Sequence, residues 1–345
     1  MRGTIATRRA LGLALAAALL AGTAACAPSS QVPAGVAAIR LQADTAAQAE
    51  TAAGTEVAAG GNAIGAVATA TACDDGSDPL ASYAPEGALP SPGALPAGST
   101  MAAIRDSGAL RVGVSADTLL MGSRNPLSGS MEGFDVDVAH AVSAAIFGDP
   151  NRIQYRVITS GQRLDVLTNG EVDMVVRTFT INCDRWKEIA FSAEYFHSGQ
   201  KVLVPLDSTA TGVADLEGKR VCAPVGTTTF DRLSQWEGIE PVAAATHTGC
   251  LVLFQQGEVD AITGDDTVLA GFAAQDPYAK VVGAAISDEP YGVGIPADKV
   301  DMVRFVNGVL ENMKADGTWT SSYNTWLGVL GSAPAPPTPV YGRTP

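Results

Sequence analysis

The chain has 345 residues, enough for about two domains. It carries 22 basic against 36 acidic residues, a net charge of −14. That balance argues against a nucleic-acid partner, which calls for a basic face.

The first 25 residues read as an export signal outside the fold. Arg2, Arg8 and Arg9 precede an apolar run, Ala10 to Ala21, too short to span a bilayer as a mature helix. Gly22-Thr-Ala-Ala-Cys26 looks like a bacterial lipobox, with Thr23 where Leu is commoner. Cys26 would then be the first mature residue and carry lipid; the alternative is a cut after Ala25 that leaves a free thiol. The pair Arg8-Arg9 leaves Sec and twin-arginine export both open. Loss of this segment turns 22 basic residues into 19 against 36 acidic, a balance of −17. A protein this acidic that binds an anion must build a local positive pocket. Five cysteines are an odd number for an exported chain. Lipidation of Cys26 leaves Cys73, Cys183, Cys222 and Cys250, which allow three pairings.

Residues 27 to about 72 are rich in Ala, Gly, Thr and Ser without a clear period, and 84 to 99 add Pro and Gly. Both read as extended, the first as a tether. Folding is expected to begin near Ser99. A short helix, Met101 to Asp106, stops at Ser107-Gly108, and Leu110 to Ser115 is a strand. A loop with turn signals at Asn125-Pro126 and Ser128-Gly129 follows. Phe134, Val138, Val142 and Ile146 form one apolar helix stripe. Ile153 to Ile158 is a strand, Gln162 to Leu167 a helix, and Val172 to Val176 a buried strand. A polar turn, Thr178 to Asp184, leads into a short helix with Asn182 as N-cap. Further strands are expected at 201–205, within 216–225, at 259–263 and at 291–295. Helices are expected after Gly226, at 250–256, 266–274 and 298–315, and around Trp319, Tyr323 and Trp326. The tail from Ala333 is Pro-rich and extended. Strands alternating with helices indicate an α/β fold with mainly parallel sheets.

An internal echo adds to this. Asn169-Gly-Glu-Val-Asp-Met-Val-Val176 matches Gln256-Gly-Glu-Val-Asp-Ala-Ile-Thr263, each a helix end followed by a strand. Thr178 and Asp265 lie five residues past the two aspartates, Asp173 and Asp260. Two similar lobes would put them at equivalent carboxyl ends of strands, where open α/β sheets bind ligands.

The chemistry clusters around these positions. Arg185 falls in the first turn of a helix, where the dipole disfavours a cation by roughly 0.3–1 kcal/mol. Its fork of donors matches a carboxylate, with Thr178 and Thr180 offering hydroxyls beside it. Gly226-Thr-Thr-Thr229 links a strand to a helix, so the N–H groups and hydroxyls around Thr227 and Thr228 can hold a small anion. It lacks the lysine and spacing of a phosphate loop. Asp265 is read as a partner for a ligand ammonium and Asp266 as a helix cap. Arg185, Thr228 and Asp265 together complement an amino-acid zwitterion. Arg163, Arg177 and Arg124 are candidates for a ligand side chain, Arg124 the weakest. His140, His197 and His247 are isolated, and neither a nucleophile elbow nor a Cys/His metal spacing occurs, so no catalytic residue, metal or cofactor is expected.

From about 99 to 330 the chain resembles bacterial extracellular solute-binding proteins of family 3. The residues that carry this are Gly133-Phe-Asp-Val-Asp-Val138, Thr178-x-Thr180 with Arg185, Phe191-Ser192 through Tyr195-Phe196, Gly226-Thr-Thr228, Gly257-Glu-Val-Asp-Ala261, Asp265-Asp266 and Asp288-Glu-Pro-Tyr-Gly292. The glutamate/glutamine-binding lipoproteins of actinobacteria are especially similar, including the Pro-rich end. The resemblance implies a two-lobed type II binding-protein fold: lobe one 99–199 and 289–330, lobe two 200–288, with 26–98 an anchored extension and 331–345 a tail. It implies crossings near His197–Lys201 and Ile286–Glu289. Arg185 would hold an α-carboxylate with Thr178, Thr180 and Thr228 assisting, Asp265 the α-ammonium, and Arg163 a side-chain carboxylate. Relatives carry cysteines at Cys222 and Cys250, which favours that disulfide and leaves Cys73 with Cys183. Where the family often has Pro and an aromatic after the first strand, this chain has Thr118-Leu-Leu-Met121. The function implied is an extracytoplasmic, lipid-anchored, monomeric receptor for glutamate, glutamine or aspartate, serving an ABC permease or a membrane sensor. The alternative is a dehydratase-like enzyme on the same scaffold, with Glu132, Glu171 or His197 as its only recruits.

Overall fold

A computed structural model describes residues 72–344. The export signal, Cys26 and the tether up to 71 lie outside the described residues, so the expectations placed on them are not addressed. None of the described helices is long and apolar enough to cross a membrane.

The chain opens with a short strand β1 (Ala81–Ser82) and helix α1 (Thr100–Ser107). The Ser99 side chain caps α1, and Gly108 ends it in the left-handed region at φ 92°. Strand β2 (Leu110–Val114) leads into a small antiparallel sheet of β3 (Asp117–Thr118), β4 (Gly122–Arg124) and β5 (Met131–Glu132). The loop expected there is thus partly paired. Helix α2 (Phe134–Phe147) buries Phe134, Val138, Val142 and Ile146 completely, as its period requires. Next come β6 (Ile153–Val157), α3 (Arg163–Thr168), β7 (Met174–Val175), α4 (Cys183–Trp186) and β8 (Ile189–Phe191). The long strand β9 (Phe196–Pro205) then enters lobe two.

Lobe two contains β10 (Arg220–Pro224), α5 (Thr228–Leu233), β11 (Glu240–Ala244), α6 (His247–Gln255), β12 (Ala261–Asp265), α7 (Asp266–Gln275) and β13 (Ala279–Val282). Strand β14 (Asp288–Tyr291) returns the chain to lobe one, which ends with β15 (Gly294–Pro296), α8 (Val300–Ala315), α9 (Thr318–Trp326) and β16 (Val340–Tyr341). Strand β11 escaped the sequence reading because it begins Glu240-Pro241, and Pro is tolerated only at a sheet edge, where β11 lies. Helix α6 starts three residues earlier than expected because Thr246 caps it through Gly249.

The sheet of lobe one runs β6-β2-β7-β15-β8, and that of lobe two β11-β10-β12-β9-β13. Each is parallel over its first three strands and antiparallel beyond. The expectation of mainly parallel sheets holds for half of each, because the strands that carry the chain back between lobes run the other way. The internal echo is structural. Asp173 accepts the Arg111 N–H at 2.8 Å and its guanidinium at 2.5 Å, and Arg111 also reaches the Gly170 carbonyl. Asp260 accepts the Arg220 N–H at 2.9 Å and its guanidinium at 3.2 Å, and Arg220 reaches the Gly257 carbonyl. Each aspartate pins a helix end to the neighbouring strand in the same register.

Residues 73–98 and 331–344 were expected to be an extension and a tail; instead both pack on lobe one. Tyr83 and Leu95 are buried, β1 pairs in parallel with β16, and the Trp186 indole donates to the Pro79 carbonyl at 2.8 Å. Asn307 donates to Ser82 Oγ and the Tyr83 carbonyl, and Lys314 donates to the Pro337 carbonyl. Gly308 leaves room for Leu89: a Cβ there would sit 3.0 Å from Leu89 Cδ2. These segments lack a hydrophobic period because lobe one holds them through single buried side chains such as Tyr83 and Leu95 and through their carbonyls. Cys73 is bonded to Cys183, and Cys222 to Cys250.

Candidate functional site

The two crossings are adjacent. The first half of β9 pairs with β14, setting Glu289 opposite Ser198 and Tyr291 opposite Phe196. His197 bridges them, with Nδ1 on Glu194 at 2.8 Å and Nε2 on Asp288 at 3.1 Å, and its pKa rises to about 9 through these carboxylates. Above this hinge the lobes meet. Two backbone approaches are tight: a Cβ on Gly226 of lobe two would lie 2.6 Å from Gly161 Cα of lobe one, and one on Gly271 2.6 Å from the Leu119 carbonyl oxygen; Gly226 has φ 72°.

Arg163, Thr178, Thr180, Thr227, Thr228, Thr229, His247 and Asp265 line one small interlobe cavity. Six of these are the expected site residues. Arg163 starts α3 and is 3% exposed. It donates to the Ser160 and Thr178 carbonyls within lobe one and to the Gly226 carbonyl across the cleft at 2.8 Å. Arg185 is also buried. Asn182 caps α4 by accepting the Arg185 N–H at 2.9 Å, which fixes where the guanidinium leaves the backbone. With only four residues, α4 has little dipole to oppose it. The guanidinium donates to the Thr180 carbonyl at 2.5 Å and reaches the same Gly226 carbonyl at 3.5 Å. Both cations lie over the Phe179 ring, Arg163 Cζ at 4.4 Å and Arg185 Cζ at 4.9 Å from its centroid.

Three buried guanidiniums crowd this region. The pKa of Arg163 falls well below its ordinary value through burial, then through Arg185 and Arg177. Burial brings Arg185 to about 10 against the pull of Glu289, Asp231 and Asp265. Arginine does not give up its proton, so an anion is what relieves this stress.

Three of the expected arginines do not line the cavity: Arg185, which meets it only through the Thr180 and Gly226 carbonyls, Arg177 and Arg124. Arg177 is 1% exposed and lies behind it, donating to the Ile158 carbonyl and to Ser160 Oγ at 2.5 Å. Arg124 is exposed and donates to the Gly129 carbonyl of its own hairpin. Thr227 contributes as a cap, accepting the Phe230 N–H, while Thr228 turns inward. Thr178 is held at φ 38° by its N–H bond to buried Asp135, which also accepts the Tyr195 hydroxyl.

Asp265 occupies the N-cap position of α7 without capping it. Its carboxylate accepts the Tyr291 hydroxyl at 2.5 Å. Burial, and next the charge of Glu289, raise its pKa to about 8. Asp266, expected as the cap, instead accepts the Ser198 hydroxyl on the crossing strand at 2.7 Å. Sequence reasoning missed two residues. His247 reads as isolated in the sequence, yet it is 6% exposed, lines the cavity, and its Nδ1 has no partner among the described residues. Burial and the nearby Arg177 hold it neutral, with a pKa near 3. Glu289 stands out in the sequence only within Asp288-Glu-Pro-Tyr-Gly292. Its Oε2 accepts the hydroxyls of Thr180 at 2.8 Å and Thr228 at 2.6 Å, one from each lobe.

The family model "Bacterial extracellular solute-binding proteins, family 3" matches residues 110–329. The chain belongs to that family.

The ABC transporter glutamine-binding protein GlnH of Bacillus subtilis is 34% identical over 230 residues, 66% of this chain and 84% of the relative. The glutamate-binding protein GluB of Corynebacterium glutamicum is 34% identical over 227 residues, covering 62% and 77% of the two chains. Among solved structures, holo ArgBP from T. maritima aligns with a TM-score of 0.58 at 28% identity, covering 66% of this chain and 99% of that one. An ancestral arginine-binding protein bound to glutamine aligns with a TM-score of 0.60 at 29% identity, covering 64% and 98%. The fold is the two-lobed type II binding-protein fold, and this family-3 member is an extracellular solute-binding protein rather than an enzyme. The dehydratase-like alternative is therefore withdrawn.

Proposed function

We propose that this family-3 member binds an acidic amino acid, glutamate first, and presents it to an ABC permease. The observation that carries this is the convergence of Arg163 and Arg185 on one carbonyl oxygen, that of Gly226, beside buried Asp265. A carbonyl oxygen is the weaker substitute for a carboxylate oxygen, and a ligand carboxylate would take its place. Arg185 would hold the α-carboxylate and Asp265 the α-ammonium. Arg163 and the unpartnered His247 would meet the side-chain carboxylate. Closure around the ligand removes water and strengthens each of these contacts. The names of the relatives favour glutamate or glutamine, and the two arginines favour the acid over the amide.

Calorimetry of the purified protein with glutamate, aspartate, glutamine and asparagine tests this. Glutamate is expected to bind most tightly. Arg185→Ala should abolish binding of all four. Arg163→Ala should weaken glutamate by roughly 30-fold or more, the usual cost of removing one partner of a buried charge pair, and glutamine by less. Equal losses would remove the role given to Arg163. Absence of binding to any of the four overturns the reading. We propose also that removal of residues 1–25 leaves Cys26 lipidated as the membrane anchor. A Cys26→Ser variant should then be released from membranes, and retention would sink that part.

A further inference from the structure

Glu289 is 1% exposed and lies on the second crossing. Besides the Thr180 and Thr228 hydroxyls on Oε2, its Oε1 accepts the Ser287 hydroxyl at 2.7 Å. A threonine hydroxyl carries one proton. Once that proton is given to Glu289, the oxygen can offer only lone pairs to anything else. Thr180 and Thr228 approach to 3.4 Å from opposite lobes and line the same cavity as Asp265 and Arg163. The carboxylate behind them therefore turns both hydroxyls into acceptors.

That polarity does not suit a carboxylate, so it revises the expectation that these hydroxyls assist in holding one. It suits an ammonium group, which has three donors and no lone pair. Asp265 supplies the opposite charge in the same cavity, and the α-carboxylate is left to Arg185. We propose that Glu289 is a positioning residue that fixes the donor–acceptor polarity of Thr180 and Thr228, making the cleft selective for ligands with a free α-ammonium. This rests on the amino-acid reading above. A ligand of the same carbon skeleton without the amine would face two acceptors and a carboxylate with nothing to donate to them, and each buried unmet acceptor weakens binding.

Glu289→Gln keeps the size of the side chain, but an NH2 group in the place of Oε2 donates to both threonines and frees their hydroxyl protons toward the cavity. Thr180→Val removes the acceptor itself. Both are compared with the wild type by calorimetry with glutamate and by displacement with glutarate, which is glutamate without its amine. Glu289→Gln is expected to lose about 10- to 100-fold on glutamate, the usual weight of a hydrogen bond to a charged group. Glutarate should bind unchanged or tighter. In the double variant the glutamate loss should be no larger than in the weaker single variant, because Glu289→Gln already removes the interaction that Thr180→Val removes. Thermal midpoints close to wild type establish folding. Wild-type glutamate affinity in Glu289→Gln overturns the proposal, as do equal losses on glutamate and glutarate. Should glutarate prove too weak to register, the double variant decides alone: losses that multiply overturn the proposal. A wild type that binds no amino acid fails the function reading instead, and this inference with it.

Discussion

Asp265 shows how a single buried group couples the site to pH. Its carboxyl stands at about 8 because burial and Glu289 both oppose its charge. A ligand ammonium beside it favours the ionised form, so at lower pH binding must first expel a proton. Affinity for the amino acid should therefore rise with pH up to about 8 and level off above it. The slope approaches tenfold per unit, equivalent to about 1.4 kcal/mol. Among the neighbours, His247 stays neutral throughout this range with its pKa near 3, and Arg163 keeps its charge, so neither supplies the slope. Titrations at pH 6.5, 7 and 8, in buffers of different ionisation enthalpy, should reveal release of up to one proton. A flat profile would remove Asp265 from the ammonium site. The sequence announced Asp265, because the repeat placed it at a strand end matching Thr178. It did not announce Glu289 or His247. Their importance comes from what the opposite lobe brings within 3 Å of them, or fails to bring, and spacing along the chain carries no trace of that.

Elements, more than single residues, decide whether the lobes can meet. The turn between β10 and α5 holds Gly226 at φ 72°, so close to Gly161 that a Cβ would overlap its backbone. Gly257 has nearly the same conformation, φ 70°, with nothing within 4 Å of an added Cβ. The pair separates backbone strain from steric closure. Gly226→Ala and Gly257→Ala should each lose about 1–2 kcal/mol of stability, the cost of a side chain in the left-handed region. Only Gly226→Ala should also weaken ligand binding, by an expected tenfold or more, and keep the radius of gyration from shrinking when ligand is added. Matching affinities in the two variants would mean that the contact with Gly161 does not govern closure. At this scale the sequence was informative wherever a period or a cap exists: the Phe134 stripe, the Asn182 cap and the Asp173/Asp260 echo. It was weak where an element is defined by its neighbour, as with edge strand β11 and the hairpin strands after β2.

The whole molecule differs most from its sequence pattern in how its ends are bound. Residues 73–98 and the Pro-rich tail were legible only as extended chain, because proline and small residues leave no amphipathic period. Together they form a strap over lobe one that converges on the turn carrying Arg185. Cys73 bonds Cys183, Pro79 accepts from the Trp186 indole, and Arg343 of the tail covers that indole at 3.8 Å. Helix α4, four residues long, has too few internal bonds to stand alone and depends on these contacts. The two disulfides should therefore differ in kind. Cys73–Cys183 closes 110 residues and Cys222–Cys250 closes 28, so chain entropy alone gives upper values near 5 and 3.5 kcal/mol respectively. Replacing either pair by serine should lower the thermal midpoint by several degrees. Cys222 and Cys250 lie in the lobe-two core and do not line the cavity, so their loss should leave amino-acid affinity within a few-fold of wild type. Loss of Cys73–Cys183 should also loosen Arg185 and weaken binding by a larger factor, chiefly through faster dissociation. A Cys73→Ser/Cys183→Ser protein that melts earlier yet binds with full affinity would reduce the strap to a stability device. A protein that loses affinity in step with its loosened turn would make the extracellular strap part of the ligand grip, reached from the opposite side of the lobe.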